Sequence, residues 1–311
     1  MKKKSYRHLN KKAIFCLYFS LIVYLVPLVS YAESFFIENW ESGTAHTFLS
    51  DYYGNFSNSS QWTIQSNVVN DSYAAEHRFP NGGEGLHCTQ HFGDSTKSPV
   101  YENGLGNRYL DLYVQFKIYY PPGYDWSAGN NKQMIIGTDD GIRHDNICCN
   151  PWVSHYITLL AGGTGTQGYF NAEGNNKRNP SDGHNWFGLS PNINGFEQNR
   201  YYIQTGRWYT IEVRRRLNDS GQSNGIFEMW IDGQKVAEHN NVVYRVPWDD
   251  TYGADFNYGT NFVMLTAYID NPAPKEQSMY YDDITFSSTY IGSGNDSVAP
   301  SPPKNLRIID Y

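Results

Sequence analysis

The sequence predicts an all-β protein organised as one large sandwich of two antiparallel sheets. From Glu33 to about Ile291, short runs rich in Tyr, Val, Ile, Phe and Trp are separated by Gly, Asn, Asp and Pro, without a repeat or a sustained helical period. Hydrophobic residues make up 40% of the 311 residues and aromatic residues 16%, which supports a packed core and excludes a disordered or collagen-like chain. Roughly 260 residues of this pattern suit a single sandwich domain.

The N-terminal segment at residues 1–32 predicts an export signal. Six Lys and Arg residues precede an apolar run at residues 13–29, and Ser30 and Ala32 then offer small side chains at the two positions of an A-x-A-like cleavage site. The run is about long enough for a membrane anchor, but Pro27 and the small residues favour cleavage after Ala32. The mature protein is therefore predicted to be secreted, periplasmic or on the cell surface, without membrane contact after cleavage.

The charge of the predicted mature chain disfavours a nucleic-acid partner. Cleavage removes six of the 24 Lys and Arg residues and none of the 31 Asp and Glu residues, leaving 18 positive against 31 negative charges, a net charge of −13. Such an acidic chain lacks a broad basic surface for a polyanion, although one local basic groove remains compatible with it.

Three cysteines remain after cleavage, in a compartment that permits disulfides. They are Cys88, Cys148 and Cys149, and no C-x-x-C spacing points to zinc. A bridge from Cys88 to Cys148 or Cys149 is favoured over a strained bridge between the two adjacent cysteines.

The clearest strands are rich in aromatic and β-branched residues and are bounded by turn residues. The dipeptide Asp232-Gly233, directly after the strand at 225–231, predicts a tight hairpin turn, and three prolines after Gly292 indicate a linker or tail. The predicted strands span 109–120, 155–161, 208–217, 225–231, 261–269 and 279–286; the predicted domains are the export signal at 1–32, the sandwich at 33–291 and the tail at 292–311.

Alternation along two of these strands predicts which side chains share a face. In one strand the core face carries Leu110, Leu112, Val114, Phe116 and Ile118, and in the other it carries Tyr209, Ile211, Val213 and Leu217. The opposite faces carry Gln115, Lys117, Arg214 and Arg216 among aromatic residues. Rings can cover the apolar faces of sugars while amides and cations bind hydroxyls or carboxylates, so these four residues are candidate glycan ligands. A solvated sheet face explains the same pattern equally well.

Two strand segments carry a specific pattern. Residues 206–218 read Gly-Arg-Trp-Tyr-Thr-Ile-Glu-Val-Arg-Arg-Arg-Leu-Asn, and residues 224–233 read Asn-Gly-Ile-Phe-Glu-Met-Trp-Ile-Asp-Gly. They closely resemble a strand pair in the jelly-roll polysaccharide lyases of the family 14 type, which cleave alginate and glucuronan. Residues 113–126 resemble a strand and loop of these lyases, and the segments at 36–43 and 280–286 resemble their opening and closing strands. The resemblance covers most of the mature chain.

The resemblance implies a concanavalin A-like jelly roll with a concave groove for a uronate-containing polysaccharide. The implied reaction is β-elimination, which requires a group that neutralises the uronate carboxylate, a base for the C5 proton and an acid for the leaving oxygen. No cofactor is required by this chemistry. A noncatalytic glycan-binding module that has kept the groove is the alternative, because the same sandwich serves lectins and hydrolases.

Several site residues follow from the resemblance. Lys132 matches the loop lysine of these lyases, Ser154 the serine of a Ser-x-Arg strand, and Tyr169 the first tyrosine of a Tyr-x-Tyr strand. Two positions depart from the pattern, because Tyr156 replaces the arginine and Asn171 replaces the second tyrosine. Lys132, Tyr156 and Tyr169 are predicted catalytic residues, and Ser154 and Asn171 are predicted substrate ligands. If the resemblance is functional, Lys132, Ser154, Tyr156 and Tyr169 should converge on one concave surface with the alternating face of Gln115, Lys117, Arg214 and Arg216.

The polar loop that precedes the strand at 155–161 offers two further candidates. Arg143 and His144 could supply the missing cation and a base, respectively. A loop pinned by a disulfide at Cys148 or Cys149 explains the same residues structurally.

Acidic residues in the terminal strands are of the type that binds a structural Ca²⁺. They are Glu38, Glu41, Asp282 and Asp283, for which ordinary surface acids are the alternative explanation. Hydrolysis is disfavoured, because no candidate strand carries the closely spaced pair of carboxylates that a retaining glycosidase uses.

The export signal leads to a direct prediction. Because positive charges, an apolar run and small residues occur in this order, the secreted protein should begin at or near Glu33. N-terminal sequencing of secreted material tests this, and material that still begins at Met1 would favour a membrane anchor instead.

Overall fold

A computed structural model of the chain shows two antiparallel sheets packed face to face. Within the described residues, no helix is long and apolar enough to cross a membrane. The structure describes residues 34–41, 62–66, 73–83, 85, 87–95, 108–138, 157–174, 201–244, 259–266, 269 and 271–292.

The strands, numbered along the chain, form an eight-stranded and a six-stranded sheet. The first has the order β12 (Gln234–Val242), β11 (Gly225–Ile231), β10 (Trp208–Arg216), β5 (Asp111–Tyr119), β14 (Gln277–Ser287), β3 (Tyr73–Phe79) and β2 (Trp62–Ser66), with β1 (Ser34–Glu38) beside β14. The second has the order β4 (His87–His91), β13 (Phe262–Thr266), β6 (Asn131–Gly137), β7 (Ile157–Thr164), β8 (Gln167–Gly174) and β9 (Tyr201–Ile203).

The predicted all-β sandwich is confirmed, and so is the alternation along β5 and β10. Leu112 and Phe116 of β5 and Val213 of β10 are buried in the core between the sheets. Two residues depart from the predicted pattern. Leu110 precedes β5 and is 44% exposed, and Arg215 lies fully buried on the core face of β10.

The buried guanidinium of Arg215 is accommodated by polar and aromatic neighbours. Its Nη1 donates to the hydroxyls of Thr138 and Thr260, and its Cζ lies 4.8 Å from the ring centre of Tyr244. A buried cation needs such partners, because desolvation without them is costly. Arg215 therefore ties β10 to the segments that flank β6 and β13.

The connection from β5 to β6 carries the chain from one sheet to the other and is held by three aromatic residues. The rings of Tyr120, Tyr124 and Trp126 are all buried, and their centres lie between 4.6 and 5.2 Å apart. Gly163 and Gly168 face each other across the β7–β8 hairpin and leave room for Trp126, since a Cβ on Gly168 would lie 2.2 Å from its ring. The connection is thereby fixed against the hairpin.

The turn between β11 and β12 agrees with the predicted hairpin. Asp232 and Gly233 have φ angles of 51° and 77°, the left-handed values that a tight two-residue turn requires. The Asp232 carboxylate also accepts from the backbone N–H of Thr210 at 2.9 Å, which fastens the turn to β10.

After β14, residues 288–292 cross the outer face of the eight-stranded sheet. The buried carboxylate of Glu212 accepts the backbone N–H groups of Ile291 and Gly292 at 2.8 and 3.0 Å, and Gln115 donates to it at 3.1 Å. Tyr290 packs beside this anchor, with its ring centre 5.1 Å from that of Trp230. Burial raises the pKa of the Glu212 carboxyl, although the three hydrogen bonds oppose the rise.

We expect the variant Glu212→Gln to be less stable than the wild type by about 1–3 kcal/mol, because an amide has one acceptor oxygen where three donors converge. Because the pKa of Glu212 is higher in the folded than in the unfolded state, the folded protein holds this proton more tightly. The contribution of Glu212 to the free energy of unfolding therefore falls as the pH rises from the unfolded pKa of 4.5 through the native pKa. The glutamine side chain does not ionise, so the stability of the variant lacks this pH dependence. The stability gap should therefore narrow with rising pH, as measured by denaturant unfolding from pH 4 to pH 8.

Glu276→Gln is the matched control. Glu276 is paired with Arg78 but 59% exposed, so its replacement should change stability little at any pH. If the difference in stability between the wild type and Glu212→Gln stays constant or widens as the pH rises, the raised pKa of Glu212 is contradicted.

Candidate functional site on the outer face of the six-stranded sheet

The structure separates the predicted site residues onto two opposite outer faces of the sandwich. Gln115, Lys117, Arg214 and Arg216 lie on the outer face of the eight-stranded sheet, on β5 and β10. Lys132, Tyr169 and Asn171 lie on β6 and β8 of the six-stranded sheet. The expectation that Lys132 and Tyr169 share one surface with Gln115, Lys117, Arg214 and Arg216 is wrong, because the hydrophobic core lies between the two sets.

The polar residues on the eight-stranded sheet are engaged with neighbours on the same sheet. The Arg214 guanidinium binds both carboxylate oxygens of Asp111, at 2.9 and 2.7 Å, and also contacts Glu228 at 2.9 Å. The hydrogen bond to Asp111 raises the pKa of Arg214. Lys117 forms an ion pair with Asp283.

Gln115 and Arg216 complete this set. Gln115 donates to the backbone oxygen of Gly292 at 2.7 Å in addition to Glu212, and Arg216 lies half-buried between Asp111 of β5 and Ile226 of β11. These contacts match the structural explanation of the alternating face: its polar groups hold neighbouring strands and the segment after β14.

Lys132 was predicted to lie on a loop, but it is the second residue of strand β6. A β-bulge between Lys132 and Met134 inserts Gln133 as an extra residue opposite β7. Asn131 and Gln133 both point into the core, where Asn131 donates to the Tyr124 hydroxyl at 3.1 Å and Gln133 accepts from the Tyr120 hydroxyl at 2.6 Å. Lys132 lies between them in sequence and is therefore directed to the outer face.

The outer face near Lys132 is organised as two rows across the strands. In the first row, Lys132 of β6 pairs with Leu160 of β7, which pairs with Asn171 of β8. In the second row, Gly162 of β7 pairs with Tyr169 of β8, which pairs with Tyr202 of β9. The rows are two residues apart, about 7 Å along the strands.

Asn130 extends the second row towards β6. Because Asn131 pairs with Ala161, the preceding residue, Asn130, comes level with Gly162. The side chain reaches this position, since the Asn130 Oδ1 would lie 2.5 Å from a Cβ placed on Gly162, and the Tyr169 hydroxyl 3.1 Å from the same point. An amide and a phenol thus converge on the space above a glycine.

Asn171, one of the two residues that depart from the lyase pattern, lies in this site. The Asn171 Oδ1 accepts from the backbone N–H of Ala172 at 2.8 Å, so the amide NH₂ group is the end that can donate to a ligand. Tyr202 is 44% exposed on the edge strand β9, and an exposed ring of this kind can cover the face of a sugar.

Sequence reasoning missed Asn130, Gly162 and Tyr202. The signal for Asn130 was its position two residues before Lys132, because the two-residue alternation of a strand carries on into the residue just before β6 begins at Asn131. For Gly162 the sequence shows only two adjacent glycines, which do not tell which one faces the site.

An apolar cluster lies next to the two rows on this outer face. Ile135, Phe262 and Met264 of β6 and β13 form a separate buried cluster. A Cβ on Gly137 would lie 2.3 Å from the Phe262 ring, which places that ring on the outer side of the sheet. The two rows around Lys132 and Tyr169 lie beside this cluster, on the part of the sheet formed by β6 to β9. On the far side of the cluster, His91 of β4 pairs with Phe262.

Several predicted residues lie outside the described part of the chain. They are Arg143, His144, Ser154 and Tyr156, and the same holds for Cys148 and Cys149. The backbone of Cys88 lies in β4 opposite Leu265. Their roles and the disulfide stay predictions.

The acidic residues considered for Ca²⁺ meet where β1 and β14 pair. Glu38 accepts from the backbone N–H of Trp40 at 2.9 Å, and burial, followed by the charge of Asp283, raises the pKa of Asp282 to about 7. Across the described residues, no group of three or more His, Cys, Asp or Glu side chains is arranged to hold a metal ion. As placed, these acids do not form such a site, and Ca²⁺ stays a prediction.

The two rows combine functional groups suited to an acidic sugar. Lys132 supplies a cation, Tyr169 a hydroxyl that can donate or accept a proton, and Asn130 and Asn171 supply amides. Side chains on paired strands are held more precisely than side chains on loops. The arrangement can bind a carboxylate and transfer a proton.

Solved structures with a similar fold include two polysaccharide lyases. The alginate lyase Aly36B matches with a TM-score of 0.52 at 14% identity, over 85% of this chain and 99% of that chain. An endo-β-1,4-glucuronan lyase from the fungus Trichoderma reesei matches with a TM-score of 0.54 at 15% identity, over 84% of this chain and 98% of that chain. At such identities the likeness establishes the jelly-roll fold. No protein of curated function matches the chain.

The sequence itself establishes the family. A family model described as Polysaccharide lyase 14 matches residues 58–257, which is more than half of the chain. The matched range includes both rows of the candidate site, from Asn130 to Tyr202. The predicted resemblance is confirmed, and the chain belongs to the polysaccharide lyase 14 family.

Proposed function

We propose that this protein is a secreted polysaccharide lyase that cleaves a uronate-containing polysaccharide by β-elimination. The observation that carries the proposal is the placement of Lys132 and Tyr169 on one face of the six-stranded sheet in a chain of the polysaccharide lyase 14 family. A mutant of the alginate lyase Aly36B, similar in fold, has been solved in complex with an alginate tetrasaccharide, with a TM-score of 0.52 and 16% identity, over 83% of this chain and 97% of that chain. That complex supports an acidic polysaccharide as the partner.

The proposed reaction assigns one role to each polar group. The Lys132 ammonium and the Asn171 amide bind the uronate carboxylate and stabilise the charge that develops when the C5 proton leaves. Proton transfer is assigned to the Tyr169 hydroxyl, which lies on the same face as Lys132. The C5 proton passes to the base, the electrons of the C5–H bond form the C4–C5 double bond, and the C4–O bond breaks. The leaving oxygen takes up a proton, so the products are a new unsaturated uronate end and a free hydroxyl.

One observation favours a noncatalytic glycan-binding protein as the second candidate. The resemblance has a tyrosine where this chain has Asn171, and an amide can hold a substrate but cannot exchange a proton at neutral pH. Such a protein would bind a uronate polymer on the same face of the six-stranded sheet without cleaving it.

The activity is tested by incubating the purified mature chain with alginates, glucuronan and glycosaminoglycans. We expect the ultraviolet absorbance of an unsaturated uronate to appear with at least one of these polymers. Binding of a polymer without any such product would contradict the lyase proposal and support the binding module.

We expect Lys132→Ala to lower turnover by about two orders of magnitude or more, the usual scale for the loss of a charge stabiliser or an acid–base group. The melting temperature should stay nearly unchanged, because Lys132 lies on the outer face of β6, away from the core. Initial rates of product absorbance and a thermal melt measure the two effects.

Lys235→Ala is the control for this variant. Lys235 lies on the eight-stranded sheet and pairs with Glu228 and Glu238, so its loss should leave turnover unchanged. If Lys132→Ala turns over substrate as fast as the wild type, Lys132 has no role in the reaction.

A further inference from the structure

Gly162 stands at the centre of the candidate site and has no side chain to fill it. A Cβ at this position would lie 2.5 Å from the Asn130 Oδ1 and 3.1 Å from the Tyr169 hydroxyl. Distances under about 3 Å are not tolerated by real Cβ atoms, since they fall inside van der Waals contact. A methyl group at this position would therefore force the Asn130 amide to move aside and the Tyr169 hydroxyl to give by a few tenths of an ångström.

The requirement for glycine at this position concerns space and not backbone conformation. Gly162 lies within strand β7, paired with Tyr169, and its φ is not in the left-handed region. Alanine can adopt this backbone, so the cost of a methyl group falls on its neighbours. Asn130 is exposed and its side-chain end can move, whereas Tyr169 is half-buried.

We propose that Gly162 is a positioning residue of the lyase site: its missing side chain lets the Asn130 amide and the Tyr169 hydroxyl converge, and Asn130 thereby joins the residues that contact the substrate sugar. The proposal rests on the proposed function. It assigns a role to two residues that the sequence pattern did not indicate.

The neighbouring glycine provides an internal contrast. Gly163 faces the opposite side of β7, and a Cβ there would lie 2.2 Å from the backbone oxygen of Gln167 and 2.8 Å from the Trp126 Cβ. Backbone and a buried tryptophan cannot move aside as an exposed amide can. The same change from Gly to Ala should therefore affect folding at Gly163 and chemistry at Gly162.

The test compares Gly162→Ala, Gly163→Ala, Asn130→Ala and the double variant Asn130→Ala with Gly162→Ala. For Gly162→Ala we expect kcat to fall about 10- to 100-fold, the scale of a misplaced catalytic group, with KM within about twofold. Its melting temperature should change by less than about 3 °C, whereas Gly163→Ala should melt at a clearly lower temperature. Because Asn130 and Gly162 share one space, the double variant should lose less activity than the product of the two single losses.

Three results of the kinetic and melting measurements would overturn the proposal. They are a wild-type kcat in Gly162→Ala, a loss of melting temperature in Gly162→Ala as large as that of Gly163→Ala, and fully multiplicative losses in the double variant. A crystal structure of Gly162→Ala adds a direct readout. It should show the Asn130 and Tyr169 side chains displaced from their wild-type positions, and unmoved side chains would also overturn the proposal.

The design separates this proposal from the function on which it rests. If the wild type forms no unsaturated product from any uronate polymer, the lyase proposal fails, and the affinity for an alginate tetrasaccharide, measured by calorimetry, replaces kcat as the readout. An affinity that is equal in the wild type and Gly162→Ala then overturns the positioning role, and a weakened affinity with displaced side chains supports it.

Discussion

The bulge at Gln133 is the constraint on which the candidate site depends. A regular strand would alternate from Asn131 onward, but the extra residue sends both Gln133 and Met134 inward and leaves Lys132 and Ile135 outward. The bulge is stabilised from within: Gln133 accepts from the Tyr120 hydroxyl, donates to the Asn131 backbone oxygen at 2.9 Å and offers its own backbone oxygen to Tyr281 at 2.9 Å. A buried polar group that is satisfied in this way fixes one arrangement, because any other register would leave it unpaired.

The same region of the core positions the second half of the site. Trp126 packs against Gly163 and Gly168 of the β7–β8 hairpin, and its backbone N–H donates to the Gly165 oxygen at 2.7 Å. The hairpin that carries Gly162 and Tyr169 is therefore held by the connection that leads into Asn130 and Lys132. Distances across the two rows are set by packed aromatic rings and backbone pairing, so the fold itself holds the candidate site in this arrangement.

Sequence reasoning predicted the faces of individual strands well, because a period of two residues is a local property. Leu112 and Phe116 lie inward and Gln115 and Lys117 outward, as the alternation in β5 predicts. Which sheet a strand joins depends on pairing between distant segments, which one sequence does not reveal. For that reason Gln115 and Lys132 were expected on one surface although the core separates them. The bulge has no signature in the residues around it, and the resemblance suggested a loop for Lys132 where the chain forms a strand.

The two outer faces of the sandwich carry similar polar residues, but these residues have different surroundings. On the eight-stranded sheet, Arg214 and Lys235 bind carboxylates of neighbouring strands, and such pairs contribute little free energy but keep the strands in register. On the six-stranded sheet, strand pairing brings Lys132 and Asn171 into one row and Gly162 and Tyr169 into the next. The rows therefore combine an ammonium group with an amide, which cannot transfer a proton, and a phenol, which can. In the proposed reaction Asn171 can only hold a ligand, so proton transfer within these rows is assigned to Tyr169. The proposed positioning role of Gly162 then concerns the one group in the rows that could transfer a proton.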